Sequence, residues 1–297
     1  MWKTSTSSLR TIAFRTTTGF KNTGITSFPI RLTKATPSVV TNMTTSRAAS
    51  SSSFVFPPPP TPSVEIHGSD QRFPVHRVYC VGRNYADHVR EMGGDPNMSQ
   101  PIFFTKPANA IVPTNTKIPY PLATTNLHYE VELVVAIGQE GVKIPIAKAS
   151  DYIFGYATGI DLTRRDLQNL SKDKGLPWDT AKALDQGAPI SAITPIRNIS
   201  SGGDDDDDDS SSFSLDVTSK ISLTVNGEPK QEGTLNQMIW TVEEVISHLS
   251  HMFTLQPGDL IYTGTPKGVG PIVAGDHVKA MIEGLETVEM ALTKSDT

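Results

Sequence analysis

Residues 128–137 read HYEVELVVAI, a run in which two carboxylates sit inside an otherwise apolar stretch. Its length and apolar character predict a strand over Tyr129–Ile137. Alternate residues of a strand share a face, so Glu130 and Glu132 are expected on one side and Val131 on the other. Two such carboxylates repel each other and resist loss of water, so their burial requires a cation. An all-oxygen set suits Mg²⁺ or Mn²⁺. The alternative is that both side chains face solvent from a half-buried strand.

The chain from His76 onward has a β-rich character, with short apolar runs broken by glycine and proline. Asn226-Gly227 is the signal of a type I′ hairpin turn. Because strands outnumber helices and do not alternate with them, a β-rich α+β body is predicted rather than a doubly wound parallel sheet. Further strands are predicted at Arg77–Val81, Ile102–Thr105, Ile153–Ile160, Ile221–Val225, Leu260–Thr263 and Val278–Ile282.

Two helices are predicted. One covers Thr163–Lys174. The other begins at Thr241, which forms a Thr-x-x-Glu capping box with Glu244, and runs to about Met252.

Other residues suited to chemistry lie outside the first strand. Asp161 ends the next predicted strand, where it is either a ligand or a cap of the following helix. His88 and Glu91 are spaced i, i+3, so on a helical turn a carboxylate would raise the basicity of an imidazole that deprotonates water. A surface His–Glu pair is the alternative.

Lys182 lies in an apolar-flanked stretch and is either a partly buried oxyanion stabiliser or an exposed lysine.

A glycine-rich segment, Gly264–Gly270, has the composition to present backbone amides to an anion. It lacks the spacing of a phosphate-binding loop, which argues against nucleotide binding.

The net charge of −5 combines 26 basic with 31 acidic residues, and these are unevenly distributed. Residues 1–64 contain seven basic residues, 25 Ser/Thr and no acidic residue, and they lack the continuous apolar core of a secretory signal. This composition predicts an organellar transit peptide, mitochondrial in preference to chloroplast, and the alternative is a disordered tail. A serine run (Ser50 to Ser53) and a proline run (Pro57 to Pro60) predict a linker.

The predicted organisation is therefore a transit peptide with a Ser/Pro-rich linker over residues 1–63 and a catalytic domain over residues 64–297. A second low-complexity stretch near residues 200–212 contains six consecutive aspartates, Asp204 to Asp209. It predicts a disordered acidic insertion in preference to a Ca²⁺ site, because the alternating ligands and turn glycine of a calcium loop are missing.

Composition also excludes several classes of protein. The acidic body argues against a nucleic-acid surface, and no segment approaches the ~18 apolar residues of a membrane span. A single cysteine, Cys80, excludes an intramolecular disulfide, and its apolar neighbours predict a packed strand residue.

Taken in order along the chain, these motifs resemble the fumarylacetoacetate hydrolase superfamily over about residues 76–290. Within it the chain is similar to the small mitochondrial branch acting on acylpyruvates and oxaloacetate. The leader, the acidic insertion and Tyr129, where a second histidine is often seen, depart from the pattern. The stretches that carry the resemblance are Val81 to His88, Phe104 to Pro107, His128 to Leu133, Gly155-Tyr156 with Asp161 to Gln168, Lys174 to Trp178, and Thr263 to Gly270.

The resemblance implies a mixed β-roll of the fumarylacetoacetate hydrolase C-terminal-domain type, usually as a homodimer. It implies Mg²⁺ (or Mn²⁺) held by Glu130, Glu132 and Asp161, which favours the ligand role of Asp161. It further implies that His88 and Glu91 form a water-activating dyad and that Lys182 contacts the substrate oxygens. Four further substrate contacts are implied: Arg165, Gln168, Lys106 and Thr265.

Such a site predicts enolate chemistry on a small 2-oxo acid such as oxaloacetate or an acylpyruvate. A metal Lewis acid would stabilise the enolate shared by keto–enol tautomerisation, decarboxylation and acylpyruvate hydrolysis. A mitochondrial matrix address favours oxaloacetate, so a tautomerase with acylpyruvase and decarboxylase activity at the same site is the leading hypothesis. The alternatives are a protein that is mainly an acylpyruvase or fumarylpyruvate hydrolase, a catalytically silent binding protein, and a sugar-acid dehydratase or hydratase.

Overall fold

The structure, a computed structural model, describes residues 54–97, 100–196 and 213–295. The chain divides between Pro57 and Pro58 into two units, and every described strand and helix belongs to the second. Residues 1–53 of the predicted leader and the predicted acidic insertion lie outside the described residues.

The described residues form eighteen strands and four α-helices. Three short 3₁₀ helices cover Ala108–Ala110, Ile146–Tyr152 and Leu235–Gln237. The α-helices are α1 (Ala86–Glu91), α2 (Arg165–Asp173), α3 (Asp179–Lys182) and α4 (Val242–Met252). The strands are β1 (Ser63–Ile66), β2 (Ser69–Pro74), β3 (Val78–Gly82), β4 (Ile102–Lys106), β5 (Ile111–Pro113), β6 (Thr116–Pro119), β7 (Leu127–Tyr129), β8 (Val131–Ile137), β9 (Ile153–Ile160), β10 (Thr163–Arg164), β11 (Ala188–Ile190), β12 (Thr194–Pro195), β13 (Lys220–Val225), β14 (Glu228–Thr234), β15 (Leu260–Tyr262), β16 (Gly270–Ile272), β17 (His277–Ile282) and β18 (Val288–Thr293).

The main sheet is mixed. Its strands run in the order β4-β3-β15-β8-β9-β11-β5, with β12 also paired to β9. β3 is parallel to β15 and β5 to β11, while β8 and β9 are antiparallel neighbours. A five-stranded sheet, β14-β13-β17-β18-β6, a three-stranded sheet, β10-β7-β16, and the β1–β2 hairpin complete the body.

Strand β8 is buried on both faces, which explains its nearly continuous apolar sequence. Its odd-numbered residues from Val131 to Ile137 join the larger hydrophobic core, which also contains β13, β17 and β18. Val134 and Ala136 join a second core together with Cys80, so the prediction of a packed strand cysteine is confirmed. The two-residue repeat puts Glu132 on the face of Val134 and Ala136.

The predicted strand Tyr129–Ile137 is interrupted at Glu130, which was not foreseen. Leu127–Tyr129 pairs with β10 and β16, whereas Val131–Ile137 pairs with β9 and β15. The interruption arises because the chain passes from the three-stranded sheet into the main sheet at this residue.

Helix α2 begins two residues later than the predicted start at Thr163. Thr163 and Arg164 pair with His128 and Leu127 in an antiparallel ladder, so α2 begins at Arg165. A β-branched residue such as Thr163 is well suited to that strand position.

The prediction of the second helix is confirmed, including its capping box. Glu244 donates its backbone N–H to Thr241 Oγ1 at 3.3 Å, and Thr241 N–H donates to Glu244 Oε2 at 2.9 Å. The predicted hairpin turn is also present, because Asn226 and Gly227 both have positive φ, 53° and 83°. The predicted β-rich α+β body is therefore confirmed. None of the described helices has the length and apolar character to cross a membrane.

Candidate active site

Three carboxylates meet where β7 and β9 end and β8 begins. Glu130 lies between β7 and β8, Glu132 is on β8, and Asp161 follows β9 directly. Asp161 N–H donates to the Glu130 carbonyl oxygen at 2.8 Å, which fixes the two backbones side by side. All three side chains are buried, and one oxygen of each lies within 4.8 Å of the others. The solvent-facing alternative for Glu130 and Glu132 is therefore wrong, as is the helix-cap reading of Asp161, because α2 has Arg164 at its N-cap.

Lys182, the last residue of α3, joins two of these carboxylates. Its Nζ lies 2.7 Å from Glu130 Oε2 and 2.6 Å from Asp161 Oδ2. Burial alone would lower the pKa of Lys182, but the two carboxylate charges outweigh it and raise that pKa. Burial likewise opposes ionisation of Glu130, yet Lys182 and Arg165 hold the Glu130 pKa well below its usual range. Lys182 and Glu130 are therefore both charged at neutral pH.

Glu132 has a different environment. Its Oε2 accepts a 2.8 Å hydrogen bond from Gly264 N–H, and no cationic side chain of the described residues forms an ion pair with it. Burial, followed by the neighbouring charges of Asp161 and Glu130, raises the pKa of Glu132 well above its usual value. The protein thus contains a buried carboxylate that lacks the positive charge it needs.

These residues fit a hard divalent cation. Asp161 Oδ1 is buried and accepts no hydrogen bond in the described part of the chain, although Lys106 Nζ is 2.7 Å away. Glu132 has no cationic partner among the described residues, and one oxygen each of Glu130, Glu132 and Asp161 lies within 4.8 Å of the others. An all-carboxylate set at this spacing suits Mg²⁺ or Mn²⁺. The predicted ligands Glu130, Glu132 and Asp161 are therefore brought together.

The predicted dyad lies on one helix. His88 and Glu91 are both on α1, and His88 Nδ1 lies 3.3 Å from Glu91 Oε2. Since a carboxylate only accepts, Nδ1 carries the proton and Nε2 has the free lone pair. Burial lowers the pKa of His88, against the raising effect of Glu130 and Glu91. His88 is therefore neutral at physiological pH and able to act as a base.

The glycine-rich loop presents its amides to the protein's own carboxylates. Gly264 N–H donates to Glu132, and Gly268 N–H donates to Glu91 Oε1 and Oε2 at 3.0 and 3.1 Å. Both glycines have φ of +97°, and a Cβ on Gly268 would lie 2.2 Å from the Lys230 carbonyl oxygen. The loop thus holds one proposed ligand and one member of the dyad, and glycine is required at both contacts.

A cleft opens beside these groups, and three of the four predicted substrate contacts line it. Arg165, Gln168 and Thr265 lie in its wall with His88 and Lys182. Arg165 also donates to Gln168 Oε1 and to Glu130 Oε1.

Lys106 does not line the cleft. Its buried Nζ points to Asp161 Oδ1 and donates to the carbonyl oxygens of Leu162, at 3.0 Å, and of Lys182. The expected substrate contact of Lys106 is therefore corrected to a contact with the Asp161 carboxylate.

Sequence reasoning missed several residues of the cleft wall. Lys172 Nζ lies 5.3 Å from the centroid of the Trp178 ring, and Lys182 Nζ lies 4.9 Å from that of Phe104. Arg83 and Met92 also line the cleft. A usable signal for Lys172 was its spacing from Arg165 and Gln168, since positions i, i+3 and i+7 share one face of a helix.

Comparison with known proteins identifies the family. The profile of the fumarylacetoacetate (FAA) hydrolase C-terminal family matches residues 77–293. Among curated relatives, the chain is 42% identical over 219 residues to "Oxaloacetate tautomerase FAHD1, mitochondrial" of Mus musculus, covering 74% of this chain and 92% of that protein. It is 40% identical over 198 residues to fumarylpyruvate hydrolase of Ralstonia sp., covering 67% and 95% respectively.

A solved structure of the same kind is also similar. The crystal structure of fumarylpyruvate hydrolase from Pseudomonas aeruginosa, in complex with Mn²⁺ and pyruvate, matches with a TM-score of 0.75 and 44% identity. The match covers 82% of this chain and all of that one. The predicted family and fold type are thereby confirmed, and the prediction of a divalent metal agrees with the Mn²⁺ held by this relative.

Proposed function

The chain belongs to the fumarylacetoacetate hydrolase family, and from that premise we propose that it is a Mg²⁺- or Mn²⁺-dependent enzyme of 2-oxo acid enol chemistry. Its leading activity is the keto–enol tautomerisation of oxaloacetate, with acylpyruvate hydrolysis and oxaloacetate decarboxylation at the same site. The observation that carries the proposal is the convergence of three buried carboxylates within 4.8 Å, beside a neutral histidine and a buried lysine in one cleft. Relatives named oxaloacetate tautomerase and fumarylpyruvate hydrolase support it.

Glu130, Glu132 and Asp161 would hold the cation. When bound, it supplies Lewis-acid stabilisation of negative charge on the oxygens of the 2-oxo acid. The formal charges agree with an acidic substrate. Lys106, Arg165 and Lys182 pair with Asp161 and Glu130 but not with Glu132. The three carboxylates and these three cations sum to a formal charge of zero, so a divalent cation would satisfy Glu132 and bring the formal charge of the site to +2.

His88 would move the proton. Ketonisation removes a proton from the C2 hydroxyl and adds one at C3, and enolisation does the reverse. Neutral His88, with its Nε2 free in the cleft, can take the proton from one of these atoms and return it to the other. Glu91 orients the imidazole and stabilises its protonated form. Lys182, held in its charged state, stabilises negative charge that develops on the substrate oxygens.

Hydrolysis is the second candidate activity, and the His88–Glu91 contact is the observation that favours it. The same Nε2 is suited to take a proton from a water molecule that attacks the 4-oxo carbon of an acylpyruvate. Tautomerisation and hydrolysis therefore need the same base and differ in the substrate that occupies the cleft.

We further propose that the enzyme acts in the mitochondrial matrix as a homodimer. The basic, acid-free composition of residues 1–64 supports a targeting segment, with residues 1–63 as leader and linker and 64–297 as the catalytic domain. The relative named mitochondrial tautomerase supports the same compartment.

An assay of the purified full chain with Mg²⁺ tests the proposal. Three substrates are compared: enol-oxaloacetate, keto-oxaloacetate and acetylpyruvate. Metal-dependent acceleration of enol-oxaloacetate ketonisation above the other two reactions is expected. Unaccelerated ketonisation beside fast acetylpyruvate cleavage would reverse the order of the two activities, and a lack of metal dependence would overturn both.

A further inference from the structure

Two cationic side chains in the cleft wall have no part in the chemistry above. Arg83 and Lys172 line the same cleft as His88 and Lys182. Within the described residues, neither side chain makes a hydrogen bond or an ion pair, and the one ring contact is that of Lys172 with Trp178. Charged groups that face a cleft without a partner are positioned to receive an anion.

Lys172 is placed by an unusual helix. Helix α2 buries Arg165, Gln168 and Ser171, while Leu170 remains 48% exposed. Its inward face is thus polar, the reverse of an ordinary surface helix. Arg165, Gln168 and Lys172 follow one another at i, i+3 and i+7 along that face. The helix therefore presents a row of hydrogen-bond donors to the cleft. Arg165 contacts Glu130, and Lys172 lies one turn beyond Gln168.

The surroundings of Lys172 are strongly positive. Burial, followed by the charges of Arg165, Arg83 and Lys182, lowers the pKa of Lys172 to about 8. The Trp178 ring offsets this only in part, because a cation–π contact is weaker than an ion pair with a carboxylate. A bound anion would remove the repulsion between these cations.

Arg83 is held in place by its neighbour. It follows β3 with φ of 60°, a left-handed conformation that is uncommon for a residue other than glycine. Asn84 is fully buried and fixes this turn: its Nδ2 donates to the carbonyl oxygens of Thr263 and Trp240, at 2.8 and 3.0 Å, and its Oδ1 accepts from Trp240 N–H at 2.7 Å. The strained backbone at Arg83 is therefore built into the cleft wall.

We propose that Arg83 and Lys172 form a second anion subsite, which binds the distal carboxylate of a dicarboxylic 2-oxo acid. The inference rests on the proposed function and narrows its substrate class. The 1-carboxylate and 2-oxo group lie at the Lys182 end of the cleft, and the distal carboxylate lies at Arg83 and Lys172. Apolar side chains of the same wall, Met92 and Phe104, contact the carbon chain between them. Dicarboxylates such as oxaloacetate and fumarylpyruvate are preferred to monocarboxylates such as acetylpyruvate.

The test uses two unreactive acids that differ only at the distal end, 2-oxoglutarate and 2-oxopentanoate. Their affinities are measured by calorimetry in the presence of Mn²⁺, for the wild-type chain and for Lys172→Gln and Arg83→Gln. The wild type is expected to bind the dicarboxylate at least about tenfold more tightly, and each variant to lose about tenfold for the dicarboxylate with little change for the monocarboxylate.

Two further variants separate charge from structure. Lys172→Arg keeps the charge and is expected to retain the preference. Lys174→Gln, two residues further on and exposed outside the cleft, is expected to behave as wild type. Wild-type protein that binds both acids equally, or neither, would overturn the subsite, as would a preference that Lys172→Gln and Arg83→Gln leave unchanged. Ketonisation of enol-oxaloacetate, measured on the same wild-type sample, reports separately on the proposed function.

Discussion

Asp161 donates its backbone N–H to the carbonyl oxygen of Glu130, and this 2.8 Å bond links the residue after β9 to the residue before β8. The contact is formed by backbone atoms alone, so the ladder of the main sheet brings these two carboxylates together. Glu132 enters the same cluster through the two-residue repeat of β8. The proposed metal site is therefore a consequence of strand pairing.

Replacement of Glu132 by glutamine should abolish tight metal binding. The glutamine amide keeps the shape and the acceptor for Gly264 N–H but removes one charge from the ligand set. We expect a loss of Mn²⁺ affinity that exceeds the roughly 10–100-fold loss seen when an outer-shell partner of a metal ligand is removed. Titration calorimetry with Mn²⁺ measures it, with the exposed Glu228→Gln as the matched control. Equal Mn²⁺ affinity in Glu132→Gln and wild type would contradict the assignment.

The same substitution should stabilise the metal-free protein. Because the pKa of Glu132 is raised in the folded state, the unfolded chain gives up its proton first as pH increases. Below pH 4.5, the usual pKa of a glutamate, Glu132 is protonated in both states and leaves the free energy of unfolding unchanged. Above pH 4.5 the free energy of unfolding falls as pH rises toward the pKa of Glu132 in the folded protein. Urea unfolding without metal at pH 5 and pH 8 should show this fall in wild type and a smaller fall in Glu132→Gln. A larger fall in the variant would exclude the explanation.

Lys182 should be essential for stability mainly when metal is absent. Its replacement by methionine leaves Glu130 and Asp161 buried without their shared cation, which costs about 3–5 kcal/mol for a buried pair. Mn²⁺ should restore part of this loss, because it supplies positive charge to the same carboxylates. Urea denaturation with and without Mn²⁺ measures both values, with Lys174→Met as control. An equal loss under both conditions would argue against a shared site for Lys182 and the metal.

Much of this site was predictable from the sequence. The alternation in Glu130-Val131-Glu132 indicated two carboxylates on one face, and the i, i+3 spacing indicated a contact between His88 and Glu91. Each pattern alone also allowed exposed side chains, and the order of the family motifs along the chain favoured the site. Other features depend on contacts between segments distant in the chain. The break at Glu130 comes from a change of sheet, and the inward turn of Lys106 comes from acceptors at Leu162 and Lys182. Neither has a local signal in the sequence.

The His88–Glu91 dyad should control how the turnover rate depends on pH. His88→Asn is expected to lower turnover about 10²–10⁴-fold, the usual contribution of a general base. Burial lowers the pKa of His88, so the wild-type rate should remain constant to below pH 6.5 and fall only as the imidazole is protonated. Glu91→Gln removes a group that raises this pKa and should move the acid limb to still lower pH. A shift of the limb to higher pH would show that Glu91 has another role.

Substitution of Gly268 should destabilise the protein both through its positive φ and through a steric clash with Lys230. Alanine there would put Cβ 2.2 Å from the Lys230 carbonyl oxygen and displace the N–H that binds Glu91. Gly275 has a similar φ of +102° but open space around it, so Gly275→Ala reports the cost of the backbone conformation alone. We expect about 1 kcal/mol of destabilisation for Gly275→Ala and about 2–4 kcal/mol for Gly268→Ala, with loss of activity only in the latter. Equal costs would show that the contact with Lys230 relaxes freely.

The most direct test of the metal-dependent site is an anomalous difference map, collected at the manganese edge from crystals of the full chain grown with Mn²⁺. One peak is expected at bonding distance, about 2.0–2.2 Å, from oxygens of Glu130, Glu132 and Asp161. A peak on other ligands, or a fully ordered site with no peak, would contradict the proposed centre and the chemistry that depends on it.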